Sequence, residues 1–467
     1  MTFIIGYLWF VLGFSVAFVL VNSLILVLAA GEVRRYTARG QTANLRVTLR
    51  SPLAPSISIL VPAYNEGAGI IDTVRSLLAI DYPNYEIIVI NDGSTDDTSQ
   101  RLAEAFGLRP VRRPAPPVLP HRPARAVYVP SSRLNLSLIE KENGGKSDAL
   151  NAGISFSSAD LFCSIDGDSV LEQNALAKTA LPFIEDPYRT VATGGMVRVA
   201  NGCRVEHGRV LQVALPRARL AMFQVVEYVR AFFGTRTGWT AINGLLIVSG
   251  AFGLFRRDAV IAAGGYRTDT LGEDLELVVR LHRSCRRAGR PYRIEYVPDP
   301  VCWTEAPETI PYLRNQRRRW QRGAIEAVLF NRGMLFNPRY RTAGLLALPA
   351  MLIFEILGPV VELCGYGVSV AALVLGIIAP VTFVLFLALS VLYGLLLTLG
   401  SIMLEDVTVN RFPAWEDLRR MLLYALAENC GYRQLLHVWR IESFWDVVRK
   451  PASRPMARKG FAQSGGE

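Results

Sequence analysis

The chain has 467 residues, of which 51% are hydrophobic, and its 51 lysines and arginines exceed its 40 acidic residues to give a formal net charge of +11. A chain of this length can form two or three domains with substantial cores. The positive charge fits an anionic membrane surface or a polyanionic substrate. The high apolar content favours the membrane over nucleic acid, for which no recognition motif is visible.

The first segment, residues 1–31, is predicted to be a transmembrane helix. Phe3–Ala30 is apolar and uncharged, and roughly 20 such residues are enough to cross a bilayer. Four arginines follow at Arg34, Arg35, Arg39 and Arg46. Because basic residues stay on the cytoplasmic side, this pattern places the N-terminus outside and the next region in the cytoplasm.

Residues 54–331 have the pattern of an α/β domain. The apolar, strand-like runs Ile57–Val61 and Tyr85–Ile90 each end in polar residues, Pro62–Glu66 and Asn91–Thr98. Strands that alternate with helices and carry polar residues at their ends are typical of a nucleotide-binding fold. No G-x-G-x-x-G follows the first strand, which argues against a dinucleotide.

A proline- and arginine-rich stretch lies between Leu108 and Leu134. Its prolines are predicted to exclude a central strand or a helix, and its charges resist burial. The stretch is therefore expected to be an extended surface insertion.

Two further motifs point to phosphate and metal chemistry. Gly144 and Gly145 precede Lys146 and a helical run, which would bring amides and an ammonium close to phosphate oxygens. A strand over Leu161–Ile165 ends in Asp166, Gly167 and Asp168, and clustered carboxylates suit Mg²⁺ or Mn²⁺. Taken singly, a solvated lysine and an ordinary turn explain them equally well or better. Because these ends meet at one crevice, the metal interpretation is favoured.

Asp274 is the candidate general base. It starts a predicted helix, where capping is the simpler explanation, but a carboxylate there could also accept a proton from an incoming hydroxyl. Upstream, Val248–Phe255 contains small residues within an apolar run, which suits close approach of the backbone to a ligand.

A basic helix is predicted over residues 310–328, within the α/β region. One interpretation is an interfacial helix on anionic lipid. The other is that Gln316, Arg319 and Trp320, which lie within about one turn of each other, bind a sugar diphosphate.

Residues 343–405 are predicted to form transmembrane helices, with a break near Gly376–Pro380. Glu355 and Glu362 lie in the first of these spans. They are candidates for a translocation path, or acids kept near the headgroups by a packed or interfacial helix. Residues 411–467 are expected to form an amphipathic or re-entrant helix and a basic cytoplasmic tail, which gives three full spans in all.

In this order and spacing, the motifs resemble the family 2 membrane glycosyltransferases that make β-linked polysaccharides, such as cellulose, chitin, hyaluronan and poly-N-acetylglucosamine synthases. The motifs that carry the resemblance are Val61–Glu66, Asn91–Ser94, Gly144–Lys146, Asp166–Asp168, Gly272–Asp274 and Gln316–Trp320. The resemblance implies an α/β fold of the GT-A type, a Rossmann-like nucleotide-diphospho-sugar transferase domain, cytosolic and flanked by transmembrane helices. It also implies a UDP-sugar donor, either UDP-glucose or UDP-N-acetylglucosamine, and Mg²⁺ or Mn²⁺.

The same resemblance implies residue roles. Asp274 would be the catalytic base, and Asp168 and Asp166 would bind the metal. Tyr64, Glu66 and Asp92 would hold the uridine, and Lys146 would lie near the diphosphate. Trp303 is a second candidate sugar platform. The full set of implied substrate-binding residues is Pro62, Tyr64, Glu66, Asp92, Lys146, Asp166, Ser249, Gly250, Glu273, Gln316, Arg319 and Trp320.

The expected protein is thus a processive synthase of the inner (plasma) membrane that extends and exports a polysaccharide, with accessory export or regulatory subunits as candidate partners. Gly272 stands where cellulose synthases usually carry threonine, which argues against assigning cellulose as the product. Two alternatives remain: a non-processive transferase that adds one sugar to a lipid carrier, and an inactive membrane-anchored module that binds a nucleotide sugar.

Overall fold

Two units make up the part of the chain that the computed structural model describes, which is residues 2–42, 54–113, 118–167, 169–206, 209–408 and 415–449. The sheet unit takes in Tyr36–Pro216 and Leu245–Ala306. The helical unit takes in Met1–Arg35, Arg217–Gly244 and Pro307–Arg454.

The sheet unit is built on a ten-stranded mixed sheet and a separate two-stranded hairpin. The strands are β1 (Ile57–Ala63), β2 (Tyr85–Asn91), β3 (Leu108–Val111), β4 (Ala124–Pro130), β5 (Leu136–Lys141), β6 (Leu161–Ile165), β7 (Val170–Leu171), β8 (Thr190–Val199), β9 (Arg204–Glu206), β10 (Arg209–Gln212), β11 (Phe252–Arg256) and β12 (Arg293–Thr304). The large sheet has the order β3-β4-β5-β2-β1-β6-β11-β8-β12-β7, and β9 pairs with β10.

Strands β5, β2, β1 and β6 are parallel neighbours, and their register aligns the ends that carry the polar motifs. Ala63 pairs with Asn91, and Asn91 pairs with Glu140. Strand β11 runs antiparallel to β6, with Phe252 opposite Ile165. The start of β11 therefore lies beside the carboxyl end of β6, where α/β folds bind ligands.

Helices pack on this sheet because the strands are apolar on both faces, as parallel strands covered by helices are. All ten residues of β8 and all five of β6 are buried. The helices of the sheet unit are α2 (Ile70–Leu78), α3 (Thr98–Phe106), α4 (Lys146–Phe156), α5 (Ala175–Glu185), α8 (Arg257–Ala262) and α9 (Glu273–Arg287). The predicted α/β fold class is confirmed.

The helical unit contains the apolar helices. Its elements are α1 (Thr2–Thr42, whose last residues belong to the sheet unit), α6 (Arg219–Val229), the π-helical Arg230–Arg236, α7 (Thr237–Ala241), α10 (Ile310–Phe330), α11 (Ala343–Ile356), α12 (Gly358–Val374), α13 (Pro380–Thr408), α14 (Trp415–Ala427), the kinked Glu428–Tyr432 and α15 (Arg433–Arg449). Among the described residues, α1 and α13 are each long and apolar enough to cross a membrane. Helices α11 and α12, bent by 41° at their junction, would make a third span if they count as one.

Two features of the fold bear on the sequence predictions. The break expected near Gly376–Pro380 is present, since α12 ends at Val374 and α13 begins at Pro380. The prediction that residues 108–134 contain no central strand is wrong, because β4 is paired on both sides. Its only proline, Pro130, is its last residue, so no ladder hydrogen bond is lost inside the strand.

Candidate active site

Four charged side chains meet at the carboxyl edge of the sheet. Lys146, the first residue of α4, places its Nζ 2.7 Å from Oδ1 of Asp166 and 3.2 Å from Oε1 of Glu273. Asp274 follows Glu273 in the first turn of α9. The structure thus brings together three loops that are far apart in sequence, from α4, β6 and α9.

Asp274 is held by two backbone amides. Gly250 donates from its N–H to Oδ2 at 2.9 Å, and Leu275 donates to Oδ1 at 2.8 Å. Burial raises the pKa of the Asp274 carboxyl, the neighbouring Glu273 raises it further, and Lys146 opposes both effects. A carboxylate with a raised pKa at a helix start is suited to proton transfer.

Lys146 stays charged in this setting. Burial by itself lowers its pKa, but the negative charges of Asp166, Glu273 and Asp274 outweigh that effect and hold the pKa above its usual value. The site therefore offers one permanent cation among three carboxyl groups; an ammonium of this kind can pair with phosphate oxygens, and a carboxylate can bind a hard divalent cation.

Gly250 lies in close contact with the charged cluster. A Cβ at that position would lie 3.1 Å from Nζ of Lys146 and 3.3 Å from Oδ2 of Asp274. Ser249, the residue before it, accepts a hydrogen bond from the N–H of Phe252 at 3.1 Å and so closes the turn into β11. The small residues noted in the sequence thus let the backbone reach the candidate base.

Asp92 lies at the same edge, but its carboxylate is occupied. It is 3% exposed, and its Oδ1 lies 2.5 Å from Nζ of Lys141 and 3.0 Å from the N–H of Gly144. Its Oδ2 accepts from the N–H of Gly145 at 2.7 Å. Asp92 therefore orders the glycine loop in front of Lys146, and its expected contact with uridine stays a prediction.

Lys141 and Asp148 complete this network, and the sequence reasoning missed both. Nζ of the fully buried Lys141 lies 2.6 Å from Oδ1 of Asp148, which also accepts from the N–H of Arg122 at 3.1 Å. The only signal in the sequence is a lysine at the end of β5, next to Glu140, while Asp92 directly follows the neighbouring strand β2. That signal alone does not distinguish a buried lysine from a solvated one.

The end of β1 presents the expected nucleotide-binding residues. Tyr64 is 45% exposed, and Pro62 pairs with Ile90 inside the sheet. Asn65 adopts a φ of 56°, and its N–H donates to Oγ of Ser94 at 3.0 Å, which ties this end to the loop after β2. Glu66 lies close to the loop after β6, because a Cβ on Gly167 would come within 3.7 Å of its Oε1.

One of the two predicted metal ligands, Asp166, lies within the described residues. Asp166 lies in the site, whereas Asp168 lies outside the described residues. Within residues that are described, no group of three or more His, Cys, Asp or Glu side chains could hold a metal. Mg²⁺ commonly takes only one or two carboxylates and completes its shell with phosphates and water, so the donor set around Asp166 fits such an ion.

Gln316, Arg319 and Trp320 lie on α10 in the helical unit. Gln316 is 6% exposed, and the ring of Trp320 is 43% exposed with the guanidinium of Arg317 4.6 Å from its centroid. Arg317 is buried and pairs with Glu227. Among described residues, Oε1 of Gln316 and Nε and Nη2 of Arg317 are buried without a hydrogen-bond partner.

Glu362 of α12 is paired within the same unit. Its two oxygens lie 3.2 Å from Nη2 of Arg433 and 3.1 Å from Nε2 of His437 on α15. Such pairing is how a carboxylate is accommodated in an apolar helix.

Trp303, expected as a second sugar platform, is a core residue. It is 1% exposed, packs with Val170 and Ala200, and donates from Nε1 to Oε1 of Glu172 at 2.8 Å. The sugar-platform prediction for Trp303 is wrong, because a face already covered by the core cannot stack on a ligand.

Two family models match most of the sheet unit, and the second match continues into α10. Residues 58–116 match a model described as "Glycosyl transferase family 2", and residues 123–323 match one described as "Glycosyltransferase like family 2". These matches agree with the GT-A type of α/β fold expected from the sequence.

Known proteins similar to the chain include bacterial synthases. This chain is 30% identical over 274 residues to the poly-beta-1,6-N-acetyl-D-glucosamine synthase of Staphylococcus aureus (strain COL). The 274 aligned residues are 58% of this chain and 55% of that protein. This chain is 29% identical over 274 residues, with the same coverage, to the synthase of that name from Staphylococcus epidermidis. The chain thus spans about half the length of the curated relatives it matches.

Solved structures align with this chain at lower sequence identity. A mannosyltransferase from Pyrobaculum calidifontis, in complex with GDP-Man and Mn²⁺, aligns with a TM-score of 0.49 and 18% identity over 88% of this chain and 99% of that one. The S. aureus TarS fragment in complex with UDP-GlcNAc aligns with a TM-score of 0.36 and 13% identity over 81% of this chain and 92% of that one.

Proposed function

Because this chain carries family 2 glycosyltransferase domains at residues 58–116 and 123–323, we propose that it is an inverting, metal-dependent transferase that adds sugars from a UDP-sugar to a growing β-linked polysaccharide. The observation that carries the proposal is the cluster of Lys146, Asp166, Glu273 and Asp274 at the carboxyl edge of the sheet. It combines a cation for a diphosphate with a carboxylate held by two amides.

Asp274 is the base in this proposal. An acceptor hydroxyl is a weak nucleophile and gains from a positioned carboxylate. The N–H groups of Gly250 and Leu275 fix both oxygens of Asp274, so the carboxylate does not have to reorient on the approach of the acceptor. One displacement at the sugar carbon inverts its configuration, which converts an α-linked donor into a β-linkage.

Lys146 acts on the leaving group in this proposal. Negative charge grows on the UDP diphosphate as the bond to the sugar breaks, and preorganised positive charge at that point is an effective source of rate enhancement. Lys146 supplies a charge that its carboxyl neighbours maintain. Mg²⁺ or Mn²⁺, held by Asp166 and Asp168, would supply the second positive charge.

N-acetylglucosamine is the sugar we favour, because the relatives at 30% and 29% identity are named as poly-beta-1,6-N-acetyl-D-glucosamine synthases.

The apolar helices α1 and α13 support a location in the inner membrane, with the sheet unit in the cytoplasm. The proposal includes export of the product.

The test is UDP release by the purified full-length protein with UDP-glucose or UDP-N-acetylglucosamine, in the presence of Mg²⁺ or Mn²⁺. We expect Asp274→Asn to lower turnover by at least about 100-fold, because that is the usual contribution of a general base, while UDP affinity is retained. Asp72→Asn is the matched control, since Asp72 is a half-exposed acid on α2 whose nearest arginine, Arg75, is 3.8 Å away. Unchanged turnover in Asp274→Asn would remove Asp274 as the base.

Sizing of the product separates the remaining possibilities. A long product that a linkage-specific glycosidase digests would support the polysaccharide synthase and identify its linkage. A short or lipid-linked product would instead support the single-addition transferase. Binding of UDP without release from either donor would support the inactive module.

A further inference from the structure

Between α10 and α11 the chain forms a basic turn, residues 331–342, which we call the arginine turn. Its arginines, Arg332, Arg339 and Arg341, are all exposed, and their guanidinium groups have no hydrogen-bond or ion-pair partner among the described residues. No acidic residue lies between Glu326 and Glu355. The turn therefore presents three cations that no nearby carboxylate in the sequence neutralises.

The backbone of the arginine turn is strained at two positions. Phe336 has a φ of 55°, and Arg341 has a φ of 46° with a ψ of −132°. A bulky residue at positive φ is a genuine outlier, and the conformation of Arg341 is one that glycine normally occupies. Such strain persists where surrounding contacts impose it, and it concentrates at functional segments.

Several contacts impose this conformation. The N–H of Phe336 donates to the carbonyl of Gly344 at 2.9 Å. A Cβ on Gly344 would lie 2.7 Å from the carbonyl oxygens of both Asn337 and Met334, and Met334 is fully buried. The turn is thus fixed by close packing against the start of α11.

The strained backbone displays an aromatic ring together with the cations. Phe336 is 62% exposed, and just beyond the turn Leu345 and Leu346 of α11 are 43% and 55% exposed. An exposed aromatic and leucines beside arginines, at the start of an apolar helix, form the composition that lies in a membrane interface. Unneutralised arginines in that position attract anionic headgroups.

We propose that the arginine turn is a docking surface for anionic phospholipid, with Phe336 inserted among the acyl chains and the three arginines against the headgroup phosphates. Charge complementarity and continuity with the apolar helix α11 identify lipid as the occupant. The inference rests on the proposed membrane location and is independent of sugar transfer.

The test places a photo-crosslinking residue in the turn. Full-length protein with Phe336→p-benzoylphenylalanine is incorporated into nanodiscs of equal parts phosphatidylcholine and phosphatidylglycerol, irradiated, and analysed by mass spectrometry. We expect lipid adducts in which phosphatidylglycerol exceeds phosphatidylcholine by about threefold or more, given three arginines near the surface. The excess should fall in high salt, because the Debye length is then only about 3 Å.

Two controls make the result specific. Arg332→Gln, Arg339→Gln and Arg341→Gln together should abolish the phosphatidylglycerol excess, whereas the same change at the exposed Arg109, Arg112 and Arg133 should preserve it. The label at Tyr188, which is 91% exposed and lies two residues after Asp186 rather than before an apolar helix, should give no such excess.

Absence of lipid adducts at position 336, adducts to protein instead, or a phosphatidylglycerol excess that survives the triple change in the turn would each overturn the proposal. Because the readout is an adduct mass, failure of the proposed transfer reaction would leave this result unaffected. Failure of the protein to remain with the nanodisc would contradict the membrane location itself.

Discussion

At the scale of single residues, Lys141 shows how one buried cation organises the candidate site. It lies between the carboxylates of Asp92 and Asp148, and a buried charge is tolerated only when it is paired and hydrogen-bonded. Asp92 in turn accepts from the amides of Gly144 and Gly145. The position of Lys146, one residue later, therefore depends on an ion network that is itself closed to solvent.

His282 is a second buried residue with a consequence that can be measured. On α9, its Nε2 lies 2.8 Å from the carbonyl of Leu245 and its Nδ1 lies 2.7 Å from the hydroxyl of Tyr292. Since a carbonyl only accepts, the network assigns the proton to Nε2 and makes Nδ1 the acceptor from Tyr292. Burial, with a smaller contribution from Arg286, lowers the pKa of His282 from 6.5 to about 4.

We expect His282 to make the fold sensitive to acid. The pKa of His282 in the folded state is below its value in the unfolded state, so the unfolded state takes up the proton first. The stability that the neutral His282 contributes is therefore fully present above about pH 6.5 and is lost as the pH falls towards about 4. The shift corresponds to a loss of up to about 3 kcal/mol. Thermal unfolding of the full-length protein, followed from neutral to mildly acidic pH, measures it.

His282→Gln keeps an amide donor for Leu245 but cannot be protonated, so its melting temperature should fall less on acidification. His121→Gln, at a partly exposed histidine, is the control and should keep the wild-type dependence. If the pH dependence of His282→Gln equals that of the wild type, burial of a neutral histidine is not its source.

At the scale of elements, the packing of β8 against β12 depends on Gly195. The register between these parallel strands shifts between Val297 and Pro300, and the bulge carries Val301 over β8. A Cβ on Gly195 would lie 2.1 Å from Cγ2 of Val301, which is fully buried. No rotation of a flexible side chain can relieve such an overlap inside a sheet.

Gly195→Ala should therefore destabilise the protein by about 1–3 kcal/mol, the usual result of overpacking. Adding Val301→Ala removes the opposing methyl groups and should recover part of the loss. Gly194→Ala is the control, because its new Cβ would be 3.4 Å from Tyr296, an ordinary contact. Thermal unfolding of the four proteins gives the comparison, and equal melting temperatures for the two alanine single variants would contradict the overlap.

The bend between α11 and α12 coincides with a proline. Pro359 lies in the first turn of α12, and a proline cannot donate to the preceding turn. The bend of 41° falls at this junction, as expected where a backbone hydrogen bond is missing. A bent pair can either cross a membrane as one span or return to the same side.

At the scale of the whole molecule, the number of spans decides which side each loop occupies. With three spans, the segment around Ile378 lies outside and the C-terminus lies in the cytoplasm; with α1 and α13 alone, both positions are reversed. The arginines before α11 and the basic residues after α13 favour the three-span arrangement, because positive residues stay inside.

Reporter fusions distinguish these arrangements. We expect alkaline phosphatase fused after Ile378 to be active and green fluorescent protein fused after Glu467 to be fluorescent. A fusion after Arg101, at a solvent-facing position of α3, is the cytoplasmic reference. The reverse pattern at both positions would establish two spans.

The sequence by itself indicated the long apolar helices, the strands β1, β2 and β6, and the candidate chemistry, but it failed at β4. Apolar runs indicated the helices that are long enough to cross a membrane, and polar residues at the ends of β1, β2 and β6 indicated the edge of a sheet, because these features are local and periodic. The α/β class and the site around Lys146, Asp166 and Asp274 could be anticipated because parallel strands bring their carboxyl ends to one edge.

Only the tertiary structure decided which side chains those elements bring into contact. Asp92 and Asp148 meet at Lys141, and the amide of Gly250 reaches Asp274, because β11 pairs antiparallel with β6 and α4 begins at the end of β5. Trp303 is covered by Val170 and Ala200, so it belongs to the core. Burial and hydrogen bonding between distant residues depend on strand order and register, which are not encoded in any single motif.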